Sequence, residues 1–326
     1  MKQAPFEQRH RPQWARLATL LDRLERRQAD PHGNDDFVRE YRRLCNHLAL
    51  ARQRGYSSHL VDDLQQLAQR GHQQLYRRRP ITQGQVLDFM VFGFPRAVRQ
   101  QWPFVLCAAL VFFGSLGVSG TLVFHFPDLI YSLLDPEQVR EVQSMYDPDQ
   151  SRLGRASERL ASEDWAMFGY YVMNNIGIAF QTFASGLLLG AGSLFYLLYN
   201  GLTIGAIAGH LTTIGYGQPF WTFIVGHSAL ELSAVVLAGA AGLRLGWALI
   251  APGALGRGDA LREAAGASVR LVYGIMLLLV LAAFVEAYWS SRTSLGPLLK
   301  YSVGGLAWAL LLAYFGCAGR NHHAHD

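Results

Sequence analysis

The sequence is short of charge and of cysteine, and it lacks the short motifs that mark common enzyme chemistry. Charged residues make up 16% of the chain, against about a quarter in a soluble globular domain. That deficit argues against a chain surrounded by water along its whole length. The three cysteines, Cys45, Cys107 and Cys317, are far apart and in no ligand spacing. They exclude a disulfide framework or a thiolate metal cage and are expected to be small buried hydrophobes. There is no phosphate-binding loop, dinucleotide fingerprint or nucleophile elbow. The nucleotide-dependent and serine-hydrolase classes therefore have no support, and no catalytic residue, metal or cofactor is expected. No nucleic-acid recognition motif is present, so no nucleic-acid partner is expected either.

What the sequence does contain is sharply partitioned. Residues 1–102 carry 18 Lys and Arg against 10 Asp and Glu, a net charge of +8, while the remainder carries 11 against 14. The first part is basic and the second apolar, which points to two regions with different solvents. In the first, Trp14, Leu17, Leu20, Leu21 and Leu24 recur at helical spacing until "PHG" at 31–33. Phe37, Tyr41, Leu44, Leu48 and Ala51 resume the pattern up to Gly55, and Ser57 caps a third stretch through Leu60, Leu64, Leu67 and Leu75. This predicts a small antiparallel helical unit without a catalytic constellation, its His47, His59 and His72 being surface or boundary residues. Arg77, Arg78, Arg79, Arg96 and Arg99 precede the first apolar run. They read as a juxtamembrane basic collar facing anionic lipid headgroups.

A membrane-spanning helix needs about 20 apolar residues. Phe104–Phe126, Pro219–Leu243, Leu271–Trp289 and Leu298–Gly316 qualify. The largely uncharged stretch from Met167 to Ile214 is too long for one span, and its glycines divide it into 167–189 and 191–214, the former weakened by Asn174, Asn175 and Gln181. The expected fold is all-α: a polytopic bundle of about six transmembrane helices behind a helical N-terminal region. Residues 1–102 form that region, 103–320 the bundle, and 321–326 a tail. Arg244, Arg257, Arg262, Arg270 and Arg320 fall on the side of the basic N-terminal region. That side is expected to be cytoplasmic at a bacterial inner membrane, with both termini there. The opposite side receives the 127–166 segment, with four Arg against nine Asp and Glu. It reads either as a loop along the interface or as a docking site for an extracytoplasmic partner.

Glycines recur at intervals of four: Gly186 and Gly190; Gly201, Gly205 and Gly209. Gly239, Gly242 and Gly246 form a third row. Small residues so spaced let helix backbones approach closely in lipid. They predict tight packing among the second, third and fourth spans, or across a homodimer.

The segment "GHSALEL", 226–232, places His227 and Glu231 on one helix face inside an apolar run. Over a span from 219 to 243, Glu231 would sit near the bilayer midplane, where an ionised carboxylate costs from about 2.5 kcal/mol upward. Asn174, Asn175, Gln181, Asn200 and Tyr199 are the expected partners, and Glu286 is expected to snorkel to the interface. Three readings stay open: a structural hydrogen-bond knot, a path for a proton, ion or lipid headgroup, and a catalytic or metal pair. For the last, H-x-x-x-E lacks a second histidine and a third ligand.

The stretches "NNIGIAFQTFASGLLLGAGSLFYLLYNGLTIGAIAGH" and "VGHSALELSAVVLAGAAGLRLG" resemble the stage II sporulation protein M family of integral membrane proteins. Its members show paired Asn, a glycine-rich span with Asn-Gly, and His-Gly-x-x-Glu-Leu followed by small residues and Gly-Leu-Arg. His227, Glu231 and Leu232 match, and Ser228 stands where the family has glycine. "YRRLCNHLALAR" and "LVDDLQQLAQRGHQQLY" resemble its longer, non-sporulation branch. The resemblance implies a membrane scaffold rather than an enzyme. Its implied partners are peptidoglycan-remodelling enzymes or a MoxR-type AAA+ ATPase, often encoded beside the longer branch. Transport of a proton, ion or lipid headgroup through His227 and Glu231 is the alternative.

Overall fold

The computed structural model describes residues 3–26, 33–75, 83–150, 152–154 and 163–320, all helices and connections with no strand among them. Arg77, Arg78 and Arg79 of the expected collar lie outside these residues. The chain divides into two compact units, Met1–Thr82 and Gln83–Asp326.

The first unit holds α1 (Gln3–Glu25), α2 (Gly33–Gln53) and α3 (Ser58–Leu75). The apolar residues three and four apart bury one face of each helix. Phe6, Leu17, Leu21, Phe37, Leu44, Ala51, Leu60 and Leu64 form the shared core. Gly55, at φ +63, makes the turn between α2 and α3. Arg70 of α3 forks onto Glu25 of α1 at 3.0 and 2.9 Å and also reaches Asp22, a partly exposed pairing of modest worth. His47 is less ordinary than expected. Trp14 Nε1 donates to its Nδ1 at 3.1 Å, and its ring lies 4.1 Å from that of His10.

The second unit begins with α4 (Gln83–Asp88), a π-helical turn at Phe89–Gly93 and α5 (Phe94–Gln100). The bundle follows: α6 (Trp102–His125), α7 (Pro136–Met145), α8 (Asp164–Ala184), α9 (Ala191–Thr213), α10 (Gly217–Ile224), α11 (Ser228–Ile250), α12 (Arg257–Val285) and α13 (Pro297–Cys317). Among the described residues, α6, α9, α11, α13 and α12 with its extension to Ser290 are long and apolar enough to cross a membrane. The 21-residue α8 is not among these five, because its Asn and Gln side chains dilute its apolar surface.

The glycine contacts nevertheless fix what α8 does. A Cβ at Gly201 would meet Phe112 and Ser115, at Gly205 Leu116 and Ser119, and at Gly209 Gly120 and Phe124. Both registers rise together, so α6 and α9 are parallel. Gly239 faces Leu197, Gly242 faces Ser193 and Gly246 faces Gly190, so α9 and α11 are antiparallel. Between two parallel helices the chain must return along the bundle, and α8 is the long helix available to carry it. The main glycine row of α9 therefore packs on the first span, not only among the second to fourth as expected. These glycine faces are filled within one chain, so a homodimer would have to use other surfaces.

Three spans differ from expectation. Pro219–Leu243 is not one helix: α10 stops at Ile224, and α11 starts at Ser228 and continues to Ile250. The expected 271–289 helix already begins at Arg257 and closes in a π-helical turn at Glu286–Ser290. The 167–189 helix ends at Ala184 and passes through a single 3-10 turn to Leu189 and Gly190, both at positive φ (53 and 82). Cys107 and Cys317 are exposed on the outside of the bundle rather than buried, which an apolar solvent permits. Arg99 is half-buried and donates to the Phe315 carbonyl at 2.8 Å. It thus serves one of the orphan carbonyls at the end of α13. Arg96 is likewise half-buried.

Candidate functional site

The break between α10 and α11 organises the site. Gly226 has Trp289 and Ser290 packed where a Cβ would stand, and Gly304 of α13 lets that helix rest on the backbone of Val225. The short connection turns His227 inward as the residue capping α11, and Glu231 falls in the first turn of that helix. The carboxylate is thus near a helix end, not in mid-span as the sequence suggested. The positive end of the helix dipole favours a carboxylate there.

His227 is 4% exposed. Its Nδ1 lies 3.0 Å from Ser290 Oγ, and its Nε2 lies 3.6 Å from Glu231 Oε2, beyond hydrogen-bond length. Phe223 sets its ring edge-on to the imidazole at 5.2 Å. Glu286 opens the π-helical turn of α12, is 8% exposed and does not snorkel to an interface as expected. Instead, ligand atoms of His227, Glu231 and Glu286 all lie within 4.8 Å of one another. Around them, Trp308 Nε1 donates to Ser228 Oγ at 3.1 Å, and Lys300 Nζ donates to the Ser290 carbonyl at 2.8 Å. Sequence reasoning missed Glu286, Ser290 and Lys300 as parts of one site. The signal available was an acid and a lysine in otherwise apolar helices, with no indication that they converge.

The expected asparagine partners are elsewhere engaged. Asn174 donates to Asn175 Oδ1 at 2.9 Å, and Asn200 donates to the Tyr196 carbonyl at 2.7 Å. Neither arrangement includes His227 or Glu231, so the structure does not bring the five residues into one knot. The buried Asn175 Nδ2 has no hydrogen-bond partner.

Two cavities flank the break. One, of about 600 Å³, is apolar and lined by Leu230, Phe284, Trp289, Val303 and Leu311 among others. The second, of about 330 Å³, includes Gln218, Thr222, Thr293 and Lys300 in its lining. Part of the long connection after α6 closes over this end. Asp135 caps α7 in a reciprocal capping box with Gln138, as "DPEQ" predicts. Tyr146 packs its ring on Phe220 and Phe223, Leu153 donates its amide to the Ser291 carbonyl at 3.1 Å, and Arg152 pairs with Asp164. These residues are strapped to the bundle and are not a free loop; 155–162 fall outside the described residues.

The family described as Stage II sporulation protein M matches residues 104–291, a stretch that contains all three clustered side chains. A domain of unknown function matches residues 4–77, essentially the first helical unit. Searches of curated proteins and of solved structures returned no match.

Proposed function

The chain belongs to the stage II sporulation protein M family, and from that premise we propose that it organises a cell-envelope membrane complex without being an enzyme itself. The observation that carries this reading is the construction of the first unit: three helices with their own core, attached to a membrane bundle. Such a unit suits recognition of a cytoplasmic partner, with both termini on that side of an inner membrane. The strapped segment around Tyr146–Gly154 offers a second surface on the other side. The partner to test is the MoxR-type AAA+ ATPase, with peptidoglycan-remodelling enzymes next.

Co-purification from membranes in mild detergent tests it. The full chain should retain the ATPase, and deletion of residues 1–75 should abolish retention while the bundle still elutes as a folded species. Failure of the full chain to retain either partner class after cross-linking in native membranes would remove the scaffold reading. A second reading, passage of a proton or ion, is favoured by the break itself. Discontinuous helices whose ends meet polar side chains are how membrane carriers build ion sites. Cation flux into vesicles holding the purified chain alone is the measurement that would put it first.

A further inference from the structure

We propose that His227, Glu231 and Glu286 form an intramembrane site for one first-row divalent metal ion of the zinc–manganese class. The geometry comes first. With bonds of about 2.0–2.1 Å, two ligand atoms on a tetrahedral ion stand about 3.4 Å apart. The His227 Nε2 to Glu231 Oε2 separation of 3.6 Å already matches that edge. Separations up to the 4.8 Å bound close to the same edge length by carboxylate rotations that move an oxygen by up to about 1.4 Å.

Charge gives an independent reason. Two carboxylates converge where Glu286 is 8% exposed and the Glu231 side chain 23% exposed. Like charges this close in a poorly hydrated place require a compensating positive charge or a proton. A divalent ion held between the two carboxylates supplies such a positive charge.

The surroundings fit a metal-bound histidine. Its second nitrogen is held by Ser290 Oγ at 3.0 Å, which presents Nε2 to the carboxylates, and Lys300 in turn holds the Ser290 carbonyl. Such outer partners fix the ring of a liganding histidine. One imidazole and two carboxylates suit zinc or manganese and not a thiolate-seeking ion. Lys300, which holds the Ser290 carbonyl, also lines the cavity of about 330 Å³. Three protein ligands leave a coordination position for water or a bound group.

Metal uptake by the full chain in detergent tests the site. The protein is stripped with chelator, loaded with zinc or manganese chloride, desalted and measured for metal per chain. The tail carries His322, His323 and His325, so the reference chain has these three replaced by alanine. One ion per chain is expected. Glu286→Gln and Glu231→Gln should each bind more than about 100-fold more weakly, since loss of a group that only hydrogen-bonds a metal ligand costs about 10–100-fold. Ser290→Ala should show that smaller loss. Should a Gln variant fail to fold, the reference chain alone decides through thermal unfolding with and without metal, where a metal-dependent rise is expected. A chelator-stripped reference chain that takes up neither metal overturns the proposal, as does a folded Glu286→Gln chain with unchanged affinity. The site does not rest on the scaffold reading: metal uptake and ATPase retention are measured separately, and either can fail alone.

Discussion

Two helix interruptions among the described residues of the bundle, α8 to α9 and α10 to α11, are built differently. The one between α8 and α9 is steric. A Cβ on Gly186 would overlap the Gly242 backbone, one on Gly246 would overlap Gly190, and the chain turns at positive φ through Leu189 and Gly190. No acid or histidine lies in that turn. The interruption between α10 and α11 also depends on close approach, at Gly226 and Gly304, but it faces side chains as much as backbone and gathers one imidazole and two carboxylates. Similar glycine economy thus serves two ends. In the first it lets helices touch, as association in lipid requires. In the second it frees a helix end inside the protein, where irregular backbone is tolerated because protein surrounds it. The family match covers both, so membership alone does not separate packing from chemistry; the side chains do.

The largest effect is expected at the steric interruption. Gly246→Ala would drive a methyl into the Gly190 backbone, which has no rotamer with which to yield. Overpacking of this kind costs up to about 3 kcal/mol, occasionally more. The expected outcome is loss of the monodisperse peak in size-exclusion chromatography; a variant with wild-type elution and melting temperature would show that α9 and α11 do not pack as described. At the polar interruption Gly226→Ala should be milder. Its methyl would overlap the Trp289 ring and come within 2.9 Å of Ser290 Oγ, but that ring borders a 600 Å³ cavity into which it can turn. A cost of about 1–2 kcal/mol should appear as a lowered melting temperature with the fold intact. Because Ser290 positions His227, metal affinity should fall more than stability does. Equal destabilisation by the two alanines would erase the distinction between the interruptions.

Much of this architecture was legible in sequence, and the illegible part has a physical cause. Apolar runs predicted membrane helices because the bilayer sets their length, and the motif around Asn174–Gly246 identified the family. Glycine spacing predicted close packing but not its partner, since a small residue carries no information on what approaches it; Gly201, Gly205 and Gly209 turned out to pack on α6. The break after Ile224 was hidden because "IVGHSAL" keeps the apolar character of a continuous span. That concealment misplaced Glu231 in mid-span. It also concealed Glu286, which joins the site only through the packing of α12 against the break. The asparagines were assigned to the site on polarity alone, yet Asn174 donates to Asn175, a local contact that polarity cannot distinguish from a distant one.

His47 provides the last and smallest test, because it is a half-buried histidine with no paired carboxylates closing on it. Burial, reinforced by His10 and Arg43, holds it below its ordinary value of 6.5. Below pH 6.5 the unfolded chain therefore binds more protons at this position than the folded one does. The stabilising contribution is complete above about pH 6.5 and is lost as pH falls toward the lowered folded value. The Trp14 bond adds to this, since Nδ1 can accept it only while unprotonated. Hydrogen exchange of α1 and α2 in the full-length protein, corrected for intrinsic rates, should show protection falling between pH 7.5 and 5.5. His47→Gln should flatten that dependence, because an amide oxygen can still accept from Trp14 and does not titrate. An unchanged slope in His47→Gln would assign the acid sensitivity of this unit to other groups. A flattened one would show what burial beside His10 and Arg43 does to a histidine, the baseline against which His227, with Glu231 facing its Nε2, is to be judged.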